Sequence, residues 1–331
     1  MDNNFKVSIL MLTYNHENYI DQAIRGVVLQ KVNFPIELVI ANDSSNDNTL
    51  NKAKIWQKDY PSIIKIIDNK TNLGLQQNFI NSFNSCKGEY IAICEGDDFW
   101  IDSHKLQRQV DFLDSHKNYS ICAHRVITYY EADNSKAISN GIIKKDHDIL
   151  DLAKSNFIVN VSVVFRNNLV NNLPQWFEKV PTYDYAIHLL NAQYGNIFFM
   201  NRPMAVYRNR EDAIWSTASA DKKWIISLNV REILMNHFKD NIPVYKNLLS
   251  AYNNIGISLI NFYDKQKGIE KVNEYTDLIL KHNENWTLED INHRLKTLNM
   301  PQKGGIKNRF FKMASSIRRE ISKHISLPQI S

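Results

Sequence analysis

Glu89-Tyr90-Ile91-Ala92-Ile93-Cys94-Glu95-Gly96-Asp97-Asp98-Phe99-Trp100 is an apolar strand that runs without a break into three carboxylates. Packing gives a buried strand no reason to end in that much negative charge, so the stretch points to a cation met at its end. In an extended chain, alternation places Glu95 and Asp97 on one side and Asp98 on the other. Gly96 leaves the backbone between them open to close approach by a ligand. Two carboxylates two residues apart offer only hard oxygens, which suit Mg²⁺ or Mn²⁺ held jointly with the phosphates of a substrate. Taken alone, the same residues also describe a solvated acidic turn, so the rest of the chain has to decide between the two.

Working outward, Val7 to Leu12 is a short, continuously apolar run that ends in Thr13-Tyr14-Asn15-His16, the pattern of a buried parallel strand with a polar end. Ile20, Ala23, Ile24, Val27 and Val28 then recur at helical spacing. Ile36 to Ile40 repeats the strand signal and again ends in polar residues, Asn42 to Asp47, and Asp47 or Asn48 is placed to cap a helix from Thr49 to about Tyr60. Ile63 to Ile67 predicts a third strand, a helix is expected from Leu75 to Ser85, and the quoted stretch is the fourth strand. Four β-α units in succession predict a doubly wound α/β sheet. Ligands of such sheets sit beyond the carboxyl ends of the strands. Thr13-Tyr14-Asn15, Asn42-Asp43 and Glu95-Gly96-Asp97-Asp98 all fall at those ends, and their convergence argues against the solvated turn.

Further along, a helix is expected from Lys105 to His116 and a strand from Ile121 to Tyr130. Glu131 to Asp148 reads as a loop, Val159 to Phe165 as a strand and Tyr183 to Gln193 as a helix, with short strands at Ile197 to Met200 and Met204 to Tyr207. Beyond Trp215 helical periodicity takes over and strand signals stop, which divides the chain into an α/β domain over 1–215, a helical region over 216–300 and a tail over 301–331. From Lys303 to Lys323 the tail carries seven Lys/Arg against Glu320 alone, with Ile306, Phe310, Met313, Ile317 and Ile321 on one helical face. Such a helix can lie on an anionic membrane surface, or dock on its own protein with the basic face in water.

The 331 residues are 44% hydrophobic and 23% charged, an ordinary globular balance. No run approaches the roughly 20 apolar residues of a membrane helix, and the N-terminus lacks the order of a signal peptide. The expectation is therefore a cytoplasmic protein, with peripheral contact to the inner face of the membrane through the tail. Cys86, Cys94 and Cys122 have no C-x-x-C spacing and read as small core residues.

Val7 to Asn15, Ile40 to Thr49, Asn72-Leu73-Gly74 and Gly88 to Asp98 occur in the order and at the spacing of family 2 glycosyltransferases with the GT-A fold, which this chain resembles over its first two-thirds. The resemblance implies a GT-A (Rossmann-like), mixed but mainly parallel sheet flanked by helices, followed by the helical region. It implies that Tyr14 stacks on the base of a nucleotide-sugar donor, most readily a UDP-sugar, and that Asp43 accepts a hydrogen bond from that base. It places Thr13, Asn15, Asn72, Glu95, Asp98, Trp100, Arg208 and Arg210 around the substrates. Asp97, with Glu95 or Asp98, would hold the Mg²⁺ or Mn²⁺ that bridges the diphosphate. Asp184 would be the base that activates the acceptor hydroxyl of a surface glycan or lipid-linked saccharide, in an inverting transfer. As the N-cap or first-turn residue of a helix its carboxylate would be stabilised, making it a weak base.

Three residues depart from the family pattern. Arg210 stands where relatives often have a histidine that can bind the metal. A guanidinium cannot, although it can contact the diphosphate directly. Gln77 replaces a basic residue of some relatives, and Leu12 a common proline. A non-catalytic sugar-nucleotide or glycan-binding relative is the alternative that Arg210 favours. The absence of G-x-G-x-x-G after the first strand, of G-x-S-x-G and of H-E-x-x-H argues against a nicotinamide dehydrogenase, an α/β-hydrolase and a zinc protease. The α/β part also lacks interleaved aromatics and bases suited to nucleic acid. Oligomeric state is left open.

Overall fold

The computed structural model describes residues 5–139, 144–212 and 217–299. The basic tail over 301–331 and the segment Ile214-Trp215-Ser216 lie outside the described residues. Among these, one compact unit runs to Leu152 and includes Phe157–Glu211, and a second comprises Ala153–Asn156 and the residues from Asp212 onward.

The first unit opens with β1 (Val7–Thr13), α1 (Ile20–Val28), β2 (Ile36–Asn42), α2 (Thr49–Asp59), β3 (Ile64–Asp68), α3 (Leu75–Phe83) and β4 (Tyr90–Ile93). Both faces of β1 and β2 are buried along their whole length, as expected of apolar runs with no polar alternation. β1 pairs in parallel with β2 and β4, and β2 with β3. Ile20, Ala23, Ile24 and Val27 of α1 are all buried in the same core as Ile9, Met11, Leu38 and Ile40.

β4 ends at Ile93, and although Cys94 N and Gly96 N still donate to Leu10 O and Leu12 O of β1, the chain then turns. Asp98 N donates to Glu95 O at 3.0 Å, so residues 95–98 form a turn before β5 (Phe99–Trp100). The alternation expected for the three carboxylates therefore does not apply, and Asp97 is left on the outside of the turn. The chain goes on through α4 (Lys105–Ser115), β6 (Tyr119–Tyr130), β7 (Ser135–Ile138), β8 (Asp146–His147), α5 (Ile149–Lys154), β9 (Val164–Arg166), α6 (Tyr183–Asn191) and β10 (Asn196–Asn209). Ten strands form one sheet in the order β3-β2-β1-β4-β9-β6-β10-β5, with β7 on β6 and β8 on β10. β9 runs antiparallel between β4 and β6, while β6 and β10 are parallel.

Three local expectations change. The strand anticipated over Val159 to Phe165 is a 3₁₀ turn at Asn160–Ser162 followed by the short β9. Ser162 Oγ donates to Val159 O at 2.6 Å, a side-chain bond to local backbone that competes with the sheet ladder. The loop expected over Glu131 to Asp148 contains β7, paired back onto β6, and β8. The two short strands around Arg202-Pro203 are a single β10 whose pairing with β6 slips between Met200 and Ala205, the place where Pro203 has no N–H for the ladder.

The second unit is helical: α7 (Ala220–His237), α8 (Ile242–Lys265), α9 (Ile269–His282) and α10 (Leu288–Asn299). Asn241 caps α8, accepting from Val244 N, with Pro243 in the first turn. α8 packs along both α7 and α9, burying Val244, Leu248, Tyr252, Leu259 and Ile260.

Candidate active site

The loops after β1 and β2 are laced together. Asn15 N donates to Ser45 Oγ at 3.0 Å and Asn46 N to Asn15 Oδ1 at 2.8 Å. His16 N donates to Thr49 Oγ1, Glu17 N to Asp47 Oδ2 and Asn48 N to Glu17 Oε2. Asn15 holds a left-handed φ of 55°, which asparagine tolerates better than most residues. Its side chain serves the neighbouring loop. Tyr14 beside it stands 41% exposed, while Thr13 is buried, its Oγ1 without a hydrogen-bond partner.

Asp43 is buried at the end of β2 and organises the loop over 69–74: its Oδ1 accepts from Asn69 Nδ2 at 3.0 Å and Leu73 N at 2.8 Å, and its Oδ2 from Gly74 N at 2.9 Å. Asn72 Oδ1 accepts from the same Gly74 N. Gly74 has φ 79°, and a Cβ there would touch nothing within 4 Å, so the requirement for glycine comes from the backbone and not from space.

In the acidic turn each carboxylate has a different environment. Glu95 Oε1 accepts from Tyr183 Oη at 2.6 Å and from Asn160 Nδ2 at 3.3 Å, and Asn160 Nδ2 also donates to Tyr183 Oη at 2.7 Å. Tyr183 is itself stacked on Phe79, ring centroids 4.0 Å apart. Burial, then the neighbouring Asp97, push the Glu95 carboxyl up to about 7. Asp98 is 2% exposed; its Oδ1 accepts from Arg208 N at 2.8 Å and its Oδ2 is buried without a partner. Burial and the charges of Asp97 and Glu95 hold its carboxyl well above the usual range. Asp97 keeps a partly exposed carboxylate, with Oδ2 at 2.9 Å from Arg210 Nη1 and 3.7 Å from His16 Nε2. Gly96 is required here by contact: a Cβ would lie 2.7 Å from His16 Nδ1 and 2.8 Å from Thr13 Oγ1.

β10 delivers the basic side chains. Arg208 is buried, its guanidinium 4.5 Å from the Phe99 ring and 5.2 Å from that of Tyr19, with Nη2 donating to Gln22 Oε1. Arg210, just beyond the strand, stacks at 4.6 Å over Tyr19 and reaches Asp97. Just before them on β10, Tyr207 has its hydroxyl raised by burial and then by the charges of Asp98, Glu95, Asp97 and Asp184. The four carboxylates thus act on one phenol.

Several assignments change at this point. Trp100 is not placed to meet a substrate: it is 2% exposed, its Nε1 donates to Val161 O at 3.1 Å, and it belongs to the core. Asp98 and Arg208 face inward and hold β10 against the turn instead of lining an open surface. Glu95 gives one oxygen to Tyr183 and Asn160, so it is not free to share a cation with Asp97 through that atom. Asp184 lies in the first turn of α6 behind the N-cap Thr182. There burial outweighs the hydrogen bonds from Tyr185 N and Thr182, and the carboxyl is raised, making Asp184 a stronger base than its helix position implies. Asn160, Tyr19 and Gln22 carry no motif in the sequence, whereas His16 closes the polar run after the first strand and Tyr207 lies in the stretch that leads to Arg208 and Arg210.

A divalent cation can be tested against this donor set. Among the described residues no group of three His, Cys, Asp or Glu side chains could hold a metal ion. What the turn does offer is a single hard-oxygen carboxylate, Asp97, that already attracts a cationic group. That fits an ion of the Mg²⁺ type, which takes one or two carboxylates and completes its shell with substrate phosphates and water.

The mixed sheet flanked by helices is the GT-A fold. The chain belongs to Glycosyl transferase family 2, which it matches over residues 8–210. The uncharacterized protein Rv1520 of Mycobacterium tuberculosis is 35% identical over 220 residues, which cover 66% of this chain and 62% of that protein. This chain therefore spans less than two-thirds of the length of that relative. Among solved structures, S. aureus TarS 1-349 in complex with UDP-GlcNAc superposes with a TM-score of 0.53 at 16% identity, covering 82% of this chain and 90% of that one. The mannosyltransferase PcManGT from Pyrobaculum calidifontis, in complex with GDP-Man and Mn²⁺, gives 0.53 at 13% identity, covering 96% and 86%. At such identities the likeness is one of fold.

Proposed function

We propose that the protein transfers a sugar, with inversion, from a nucleotide-sugar donor to a hydroxyl of a saccharide acceptor. The observation that carries this reading is the acidic turn after β4, where Arg210 Nη1 lies 2.9 Å from Asp97 Oδ2 and Glu95 Oε1 accepts at 2.6 Å from Tyr183, the neighbour of Asp184 in the first turn of α6. Tyr14 offers an accessible ring for the base beside the laced loops. Asp97 would hold Mg²⁺ or Mn²⁺, which would supply positive charge to the diphosphate. Asp184 takes the proton of the acceptor hydroxyl as its oxygen bonds to the anomeric carbon, and the bond from that carbon to the diphosphate oxygen breaks on the opposite face. Tyr183 and Asn160 fix Glu95, and Asp98 fixes the strand that carries Arg208 and Arg210.

The donor to test first is a UDP-sugar, since TarS holds UDP-GlcNAc in this fold, followed by GDP-sugars. We assign 1–215 to transfer, 216–300 to a helical region and 301–331 to contact with an anionic membrane surface. In that setting the acceptor is a growing surface glycan or a lipid-linked saccharide. No helix among the described residues is long and apolar enough to cross a membrane.

Asp184→Asn tests the reading. It preserves size and the helix start while removing the base, so turnover falls by about 10² to 10⁴ with donor affinity unchanged. Turnover within about threefold of the parent, far inside that range, would remove Asp184 from the chemistry. The Arg210–Asp97 pair gives the non-catalytic reading its one support. Metal-dependent hydrolysis of donors from a nucleotide-sugar panel decides against that reading, and binding without turnover decides for it.

A further inference from the structure

We propose that Arg210 is a resident counter-cation for Asp97, so that a divalent ion and the donor diphosphate bind as a coupled pair and neither binds well alone. The inference rests on the proposed reading of the site and concerns how that site is filled. Three observations lead to it. Arg210 Nη1 lies 2.9 Å from Asp97 Oδ2, with side-chain exposures of 6% and 20%. The guanidinium lies over the Tyr19 ring, 4.6 Å from its centre, and Tyr19 is tied in turn by its hydroxyl to Glu131 Oε2 at 3.1 Å. No three metal-binding side chains are assembled among the described residues, so an ion at Asp97 has no protein cage to compensate for a cationic neighbour.

A divalent ion approaching Asp97 in the free protein meets a permanent positive charge a few ångströms away. At the effective dielectric of a protein surface, charges that close interact by several RT, so metal affinity is reduced by more than tenfold. A diphosphate changes the balance. Its oxygens match the guanidinium fork, Arg210 exchanges carboxylate for phosphate, and both Asp97 oxygens become free for the ion. Arg210 can make this exchange because it lies one residue past Asn209, the last residue of β10 paired to β6. By linkage the coupling is reciprocal: whatever factor UDP adds to metal affinity, the metal adds to UDP affinity.

The test is Mn²⁺ binding to the full chain, read from the EPR signal of free Mn²⁺, with and without UDP, while calorimetry follows UDP. Arg210→Met keeps the apolar stem on Tyr19 and removes the charge; Arg210→Lys keeps a charge. The parent and Arg210→Lys should bind Mn²⁺ weakly alone and at least tenfold more tightly with UDP. Arg210→Met should bind Mn²⁺ alone at least tenfold more tightly than the parent, with the gain from UDP correspondingly reduced. Equal Mn²⁺ affinity of parent and Arg210→Met without UDP overturns the proposal, as does equal behaviour of the Met and Lys variants. If UDP binds while no protein takes up Mn²⁺ in either condition, the proposal is also overturned, and with it the metal part of the functional reading, whereas nucleotide recognition stands.

Discussion

Lys105 opens α4 fully buried, its Nζ without a hydrogen-bond partner and 4.0 Å from the centre of the Trp100 ring. Burial lowers its pKa from 10.5 to about 7. The folded value lies below the unfolded one, so the unfolded chain binds more protons between those limits. The contribution of this group to stability is therefore most unfavourable below about pH 7 and improves as pH rises toward 10.5. At 1.36 kcal/mol per pKa unit, giving up that proton costs on the order of 4 kcal/mol near pH 7.5 and about 1.5 kcal/mol near pH 9.5. Lys105→Met retains the stem against Trp100 and removes the titration. It should be stabilising by about 2 kcal/mol or more near pH 7.5, once some loss of packing is allowed for. The parent should regain about 2 kcal/mol on the variant by pH 9.5. Urea unfolding followed by tryptophan fluorescence at both pH values measures this. The comparison must be parent against variant, because the buried thiols of Cys94 and Cys122, kept protonated by burial, contribute the opposite slope in both proteins. A difference between the two proteins that stays within about 0.5 kcal/mol from pH 7.5 to 9.5 would show that Lys105 finds a partner or water in solution and that its charge is not suppressed.

Further expectations follow from the acidic turn. Asp97→Asn should fold normally but lose the gain in UDP affinity that Mn²⁺ gives the parent, as read by calorimetry; an undiminished gain would put the ion elsewhere. Tyr183→Phe removes a buried hydroxyl that serves both Glu95 and Asn160, and should cost about 1 to 3 kcal/mol of stability; an unchanged urea midpoint would mean that water replaces it. Asp43→Ala strips three acceptor contacts from the loop over 69–74. It should weaken UDP binding and speed amide exchange at Leu73 and Gly74, and unchanged exchange at both would refute the assigned role.

The sheet was legible where burial is uniform. Val7–Thr13, Ile36–Asn42 and Tyr90–Ile93 read as strands because both faces are covered, and the polar Ser8 and Glu37 within them are buried against each other by a hydrogen bond. The turn at 95–98 was misread because backbone bonds to β1 run on as far as Gly96, and strand alternation was carried beyond them. Trp100 was placed around the substrates by the family resemblance, yet its indole turns into the core. Glu95 and Tyr183 are 88 positions apart, and no local pattern encodes such a pairing. Lys105 looked like an ordinary polar residue at the start of a helix, since periodicity does not distinguish a solvated lysine from one sealed over an indole. The antiparallel insertion of β9 was hidden for a related reason: three residues flanked by a 3₁₀ turn carry too little pattern to announce a partner.

The lacing of the loops after β1 and β2 bears on how quickly a ligand can be received. The amides of Asn15, His16, Glu17, Asn46 and Asn48 each end on a side chain of the opposite loop, so none can open without disturbing several others. Such a set behaves as one cooperative exchange unit. On the proposed reading, in which these loops flank the nucleoside, nucleotide capture bears little ordering entropy there. Its association rate should approach that of a rigid receptor, leaving slower conformational steps to the far side of the cleft.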